Sequence, residues 1–325
     1  AALSLTATKV WVAILTVGYF QWVARPMSLG QWLLMLAAIA VAVGLWWSLG
    51  MVLALPREVA ELAGLLPLLA LCCTACEMFE THPYDTHVSG ETDITQRHID
   101  EIETAVKDKK TFRFAVISDT QRWYDATVDA VEAINRRNDV DFVLHAGDQA
   151  DFGATQEFMW MRDILNKLDV PYLTVIGNHD CLGTGRDVYR TLYGETNVAF
   201  TAGNVRFLCL NTNALEYDYS EPIPDFDFIT HEIEEVPQGV QRSVVLMHAA
   251  PRSDVFNNNV DDVFQFYIKR LPQLQFCIHG HTHGLSVNDL FGDGVLYYQC
   301  PCIDKRTYLL FTFNESGYEY EAVTY

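Results

Sequence analysis

Five short polar clusters, each closing an apolar, β-rich run, constrain this chain more than any other feature. Asp119-Thr120-Gln121 follows FRFAVIS, Gly147-Asp148 follows VDFVLHA, and Gly177-Asn178-His179-Asp180 follows PYLTVI. Met247-His248 follows RSVVL, and Gly280-His281-Thr282-His283 follows QFCI. Between the runs lie stretches with apolar residues at helical spacing. Val128, Val131 and Ile134 mark one over 126–137, Phe158, Met161, Ile164 and Leu165 another over 155–168, and a third covers 261–271. Strands separated by helices predict an α/β (or α+β) fold layered around buried sheet. The tail, 295–298, 308–313 and 318–323, reads as antiparallel strands with a hairpin turn at Asn314-Glu315-Ser316-Gly317.

In open α/β sheets, binding and catalytic side chains gather at the carboxyl ends of strands. There the five clusters would bring together carboxylates, amide oxygens and imidazoles. That mixture suits two divalent ions such as Mn, Fe, Zn or Mg rather than a thiolate-seeking metal. Ions about 3.5–4 Å apart need a shared ligand, and Asp148, with two charged oxygens, is the natural bridge. Glycines before Asp148, Asn178 and His281 fit sharp turns out of a strand.

The order D-x-Q, GD, GNHD, H, GHTH resembles the calcineurin-like metallophosphoesterase superfamily over roughly residues 111–325. The resemblance implies a two-layer β-sandwich flanked by helices. It also implies a hydrolase of phosphate esters or diphosphates that uses a hydroxide bridging two metals, with phosphatase, phosphodiesterase and diphosphatase activity all open. By the same resemblance Asp119, Gln121, Asp148 and His283 hold one ion, and Asp148, Asn178, His248 and His281 the other. His179 would meet a phosphoryl oxygen or protonate the leaving group, with Asp180 behind it as an orienting carboxylate. Gln121 stands where most of the superfamily has histidine, and its carbonyl oxygen shifts the preference toward Mn or Mg. Arg122 and Arg252 are substrate contacts by chemistry alone. The alternative is a non-catalytic metal-binding scaffold of the same fold, anchored to a membrane.

Residues 1–76 are a different material. The runs 10–24 and 31–55 contain no charge, and the second is longer than the roughly 20 residues that cross a bilayer. Trp11, Trp22, Trp32, Trp46 and Trp47 near their edges fit an aromatic belt. Transmembrane helices and a membrane-anchored protein are therefore expected. Residues 65–76 (LLPLLALCCTAC) have the look of a signal-peptide core, so lipoprotein-like processing near Cys76 is a further expectation. Residues 77–110 read as a polar linker in which Ile99, Ile102 and Val106 mark a helix from 94 to 106, with His82, His87 and His98 in solvent.

Net charge is −20, nearly all of it beyond residue 80. Nucleic-acid binding relies on basic patches that are missing here. The expected partners are the membrane and a phosphate-containing small molecule or lipid-linked substrate. Cys209 and Cys277 sit inside apolar runs and read as buried thiols, and Cys181 as packing beside its cluster.

Overall fold

The structure, a computed structural model, describes residues 85–107 and 109–325. The charge-free runs, the Cys76 segment and His82 lie outside the described residues. Among the described residues no helix is long and apolar enough to cross a membrane.

Two sheets carry the fold. In the first, β1 (Phe112–Ile117), β2 (Phe142–His145) and β3 (Tyr172–Thr174) run parallel, and β10 (Thr307–Asn314) and β11 (Gly317–Thr324) extend it antiparallel in the order β11-β10-β1-β2-β3. The second has the order β4-β5-β6-β7-β9-β8. There β5 (Val205–Leu210), β6 (Arg242–Met247), β7 (Leu274–His279) and β9 (Leu296–Gln299) are parallel, and the edges β4 (Val198–Ala202) and β8 (Ser286–Asp289) antiparallel.

The strands are apolar on both faces because both faces are covered. Along β1 the side chains alternate with period 2. Phe112, Phe114 and Val116 enter the core between the sheets, while Ala115 and Ile117 face the helices. Phe114 stacks on Phe142 (5.1 Å, 8°) and on Phe311 (5.1 Å, 12°) within its own sheet, and meets Phe207 of the other sheet edge-on (5.3 Å, 89°). Offset stacking and T-shaped contact are the arrangements a ring quadrupole favours. Helices α1 (Ile94–Val106), α2 (Tyr124–Arg137), α3 (Thr155–Leu165) and α4 (Gly185–Tyr193) contribute buried residues to the first half of the molecule. Helices α5 (Phe226–Glu234) and α6 (Asp261–Ile268) pack apolar residues against the outer face of the second sheet.

Two expectations are corrected. The tail is not one antiparallel array: β9 lies parallel to β7 in the second sheet, whereas β10 and β11 form a hairpin on β1 of the first. The switch is made at Cys300-Pro301-Cys302, where Cys300 N donates to His279 O (2.7 Å) and Ile303 N to Ser118 O (3.1 Å). His98 is buried rather than in solvent. The face of α1 that carries Ile99, Ile102 and Val106 enters the inter-sheet core, and the His98 imidazole meets the carbonyl of Tyr172 at 2.7 Å. Burial lowers its pKa.

Candidate metal centre

The loops that follow β1, β2, β3, β6 and β7 carry the five clusters to one end of the two sheets. Close approach there is possible only without side chains. A Cβ on Gly280 would lie 2.0 Å from Ser118 Oγ and 2.8 Å from Asp119 Oδ2, and one on Gly177 would lie 2.1 Å from Asp148 Oδ1. Asp119, Asp148, His281 and His283 all have φ between 53° and 74°. Such left-handed backbone costs of order 1–3 kcal/mol per non-glycine residue and concentrates at functional sites. Its occurrence at four neighbouring polar side chains is the clearest local sign that function shapes this end of the fold.

Asp119, Asp148 and His248 converge, with a ligand-type atom from each within 4.8 Å of the others, all buried. His248 Nε2 lies 3.3 Å from Asp148 Oδ2 and 3.0 Å from Asn178 Oδ1, and Asn178 Oδ1 is also 3.0 Å from His281 Nδ1. His283 Nε2 is 3.3 Å from Asp119 Oδ1, and the Gln121 amide is 3.4 Å from Asp148 Oδ2. The structure thus brings together all seven residues expected as ligands.

The donor set fits cations. Asp119 Oδ1 and Gln121 Oε1 are buried with no aligned hydrogen-bond donor. Buried carboxylates must be paired or bind metal, and the contacts just described include no lysine or arginine. Imidazoles carry what compensation there is. Burial opposes charge on His248, but Asp148 and then Asp119 outweigh it and lift its pKa to about 9. The same pairing holds Asp148 below the usual carboxylate range against its burial, and Asp119 raises His283.

Hydrogen bonds to main chain set the imidazole directions. His248 Nδ1 donates to Ala146 O (2.7 Å), which turns Nε2 into the cluster. Asp254 Oδ1 accepts from His281 Nε2 (2.8 Å), which leaves Nδ1 for the cluster. A carboxylate behind a ligating imidazole fixes its tautomer and ring direction. His145, at the end of β2, accepts from Gly147 N (3.1 Å) and reaches Thr120 Oγ1 (2.8 Å), so it ties the first two loops together. Burial lowers its pKa to about 4, which keeps it neutral for that task. Neither Asp254 nor His145 stood out in the sequence, since their partners are 27 and 25 residues away.

The expected pairing of Asp180 with His179 does not occur. Asp180 accepts the backbone N–H groups of Asp148, Gln149, Ala150 and Gly177 at 2.8–3.0 Å, and so organises the loop that presents Asp148. Burial and the Asp148 charge raise its pKa, against the pull of those donors. His179 is oriented instead by the main-chain carbonyl of Asp151, which accepts from Nδ1 at 2.8 Å. Its side chain is 35% exposed. The Asp151 carboxylate is held by Arg122, and Glu157 Oε2 accepts from the N–H groups of Asp151, Phe152 and Ala154.

Other residues lie to the side. The Arg252 guanidinium donates to Leu290 O and covers the Phe291 ring at 4.6 Å. Cys181 Sγ donates to Gly177 O (3.3 Å), as packing beside the loop. Cys302 Sγ donates to Asp119 O (3.0 Å) and steadies the first cluster from below.

The sequence profile of the calcineurin-like phosphoesterase family matches residues 112–285. A 3',5'-cyclic-nucleotide phosphodiesterase of Nostoc sp. is 24% identical over 157 residues, 45% of this chain and 57% of that relative, so the match spans little more than half of its length. A dimetal phosphatase from Danio rerio superposes with a TM-score of 0.52 at 15% identity, covering 66% of this chain and 99% of the other. A purple acid phosphatase from yellow lupin (Lupinus luteus) gives 0.52 at 13% identity, over 66% and 52%. These structural likenesses establish the shared fold of two helix-flanked sheets.

Proposed function

This chain belongs to the calcineurin-like phosphoesterase family, and we propose that it is a metal-dependent hydrolase of phosphate esters. One observation carries the reading: buried carboxylate and amide oxygens converge with three imidazoles and lack the donors they need. Asp119, Gln121, Asp148 and His283 would hold one divalent ion, and Asp148, Asn178, His248 and His281 the second. Bound there, such ions supply positive charge to phosphoryl oxygens and acidify water. The oxygen donors among the ligands, Gln121 included, favour Mn or Mg.

The chain's own groups do the rest. The Asp151 carbonyl can only accept, so Nδ1 of His179 keeps its proton and Nε2 is the atom free to exchange one. From there His179 donates to a phosphoryl oxygen or protonates the departing alkoxide. Asp180 serves this chemistry at a distance, by holding four amides of the loops that present Asp148 and His179. The relative from Nostoc sp. brings a cyclic phosphodiester forward as one substrate to test. In the same proposal the hydrolase is anchored to a membrane, a reading that rests on the length and lack of charge of the runs 10–24 and 31–55.

The test strips the full chain of metal and reloads it with Mn, Mg, Fe or Zn. Turnover of p-nitrophenyl phosphate, bis-p-nitrophenyl phosphate and a 3',5'-cyclic nucleotide is then measured. Metal-dependent turnover that falls at least a hundredfold in His179→Ala is expected. Two bound metals without turnover on any ester would reduce the protein to a scaffold.

A further inference from the structure

The six loops at the site end form a closed ring of hydrogen bonds. Arg122 pairs with Asp151, and Asp151 O holds His179. Asn213 Nδ2 donates to Ile176 O (2.8 Å), Leu215 N to Val255 O (3.1 Å), Asp254 meets His281, and His281 N donates to Asp119 Oδ2 (3.2 Å). The candidate metal centre is therefore encircled by chain, and what that ring presents to solvent is what an arriving substrate meets.

Two properties of the ring stand out. Five of its six loops expose a large apolar side chain: Trp123 (42%), Phe152 (69%), Leu182 (37%), Leu215 (42%) and Leu285 (49%). Trp123, Phe152, Leu182 and Leu285 each lie within four residues of a site residue, and Leu215 follows the Asn213 that bonds to Ile176 O. The Phe152 and Leu182 loops touch, since a Cβ on Gly153 would meet Leu182 O at 2.1 Å. Single exposed apolar residues need no explanation, but a rim of them around a polar cluster marks a binding surface. The second property is charge. The loops 118–123, 146–154, 175–184, 211–224, 248–260 and 280–285 hold eight Asp and Glu residues but two basic ones, Arg122 and Arg252. Both guanidiniums are engaged, by Asp151 and by Leu290 O. Neither of these two guanidiniums is left for a second phosphate, which recognition of polyphosphates would call for, and Arg186, just past the third loop, lies over the Tyr217 ring at 4.4 Å.

We propose that the site selects phosphodiesters of a single negative charge that carry a large apolar or aromatic group, with Trp123, Phe152, Leu182, Leu215 and Leu285 covering that group. The proposal rests on the hydrolase reading and narrows it. It excludes nucleoside triphosphates and oligonucleotides, whose extra phosphates would face the carboxylates of the ring.

The test uses the Mn-loaded full chain and p-nitrophenyl phosphodiesters of methanol, butanol and octanol, each below its aggregation threshold. Charge and leaving group are constant along the series, so only apolar contact varies. The value of kcat/KM should rise at least tenfold from methyl to octyl, mainly through KM. In Trp123→Ser and Phe152→Ser the octyl-to-methyl ratio should fall at least threefold. The p-nitrophenyl ester of thymidine 5'-phosphate tells an aromatic preference from an aliphatic one, and adding a 3'-phosphate to it should cost at least tenfold. A flat alkyl series with turnover intact, or a gain from the added phosphate, overturns the proposal and assigns the rim to contact with a protein or membrane. No metal-dependent turnover on any of the esters instead overturns the hydrolase reading beneath it.

Discussion

At the residue scale, the side chains that converge were legible and the groups that aim them were not. Asp119, Asp148, Asn178, His248, His281 and His283 announce themselves because each stands in a short polar cluster directly after an apolar run, a purely local signal. What orients them comes from far along the chain, or from main chain that every residue shares. His179 takes its direction from a carbonyl, and Asp180, its sequence neighbour, turns away to collect amides. Asp254 is the sharpest case, a carboxylate whose side chain is 82% exposed yet lies 2.8 Å from His281 Nε2. If it fixes the tautomer that leaves Nδ1 for metal, Asp254→Asn should weaken binding of the second ion about 10–100-fold while the first binds unchanged. Titration calorimetry with Mn reads the two steps separately. Equal affinity at both sites in the variant and the parent would make Asp254 a bystander.

At the scale of elements, the helices α2, α3 and α6 were predictable from apolar spacing, to within a few residues at their ends. So was α1, from Ile99, Ile102 and Val106. Its burial was not, because the surrounding segment is polar and only the fold supplies the sheet that covers it. The sheet membership of β9 was hidden for a related reason: pairing is non-local, and an apolar strand carries no mark of its neighbours. The junctions between elements hold the tightest constraints. Gly280 closes β7 against Ser118 and Asp119, so Gly280→Ala forces a methyl group into space that three polar atoms already occupy. We expect a loss of about 1–3 kcal/mol in stability from the overpacking alone, together with a loss of metal affinity as Asp119 is pushed aside. Denaturant unfolding with and without Mn measures both. A variant that keeps parental stability and affinity would mean that the β1 and β7 loops move apart freely, contrary to the hydrogen bond from His281 N to Asp119.

At the scale of the whole molecule, the same burial that builds the centre sets a lower limit on the pH at which the metal-free fold stands. His145 and His279 are both pushed by burial to about 4, in surroundings that suit the neutral ring. In the unfolded chain each has the ordinary value near 6.5. Above 6.5 neither state binds the proton and the two residues are neutral in their effect. Between 6.5 and 4 the unfolded chain takes up protons that the folded chain refuses, so stability falls as the pH falls, and below about 4 the loss levels off. The size is on the order of 3 kcal/mol per histidine, a large share of the roughly 5–15 kcal/mol that holds a domain together. His98, lowered by burial in α1, adds to the loss with the same sign. Asp180 and His248 act with the opposite sign, since each is raised in the fold and binds its proton there first. Urea unfolding of chelator-treated protein at pH 7.5, 6.0, 5.0 and 4.0 therefore reads the share of the neutral histidines as a difference between parent and variant. His145→Gln, which keeps a hydrogen-bonding side chain but cannot take up the proton, should lose less stability than the parent between pH 6.5 and 4, by about the share of one histidine. A variant profile parallel to that of the parent would show that the His145 ring is protonated within the fold, and that the network joining the first two loops is not the neutral one.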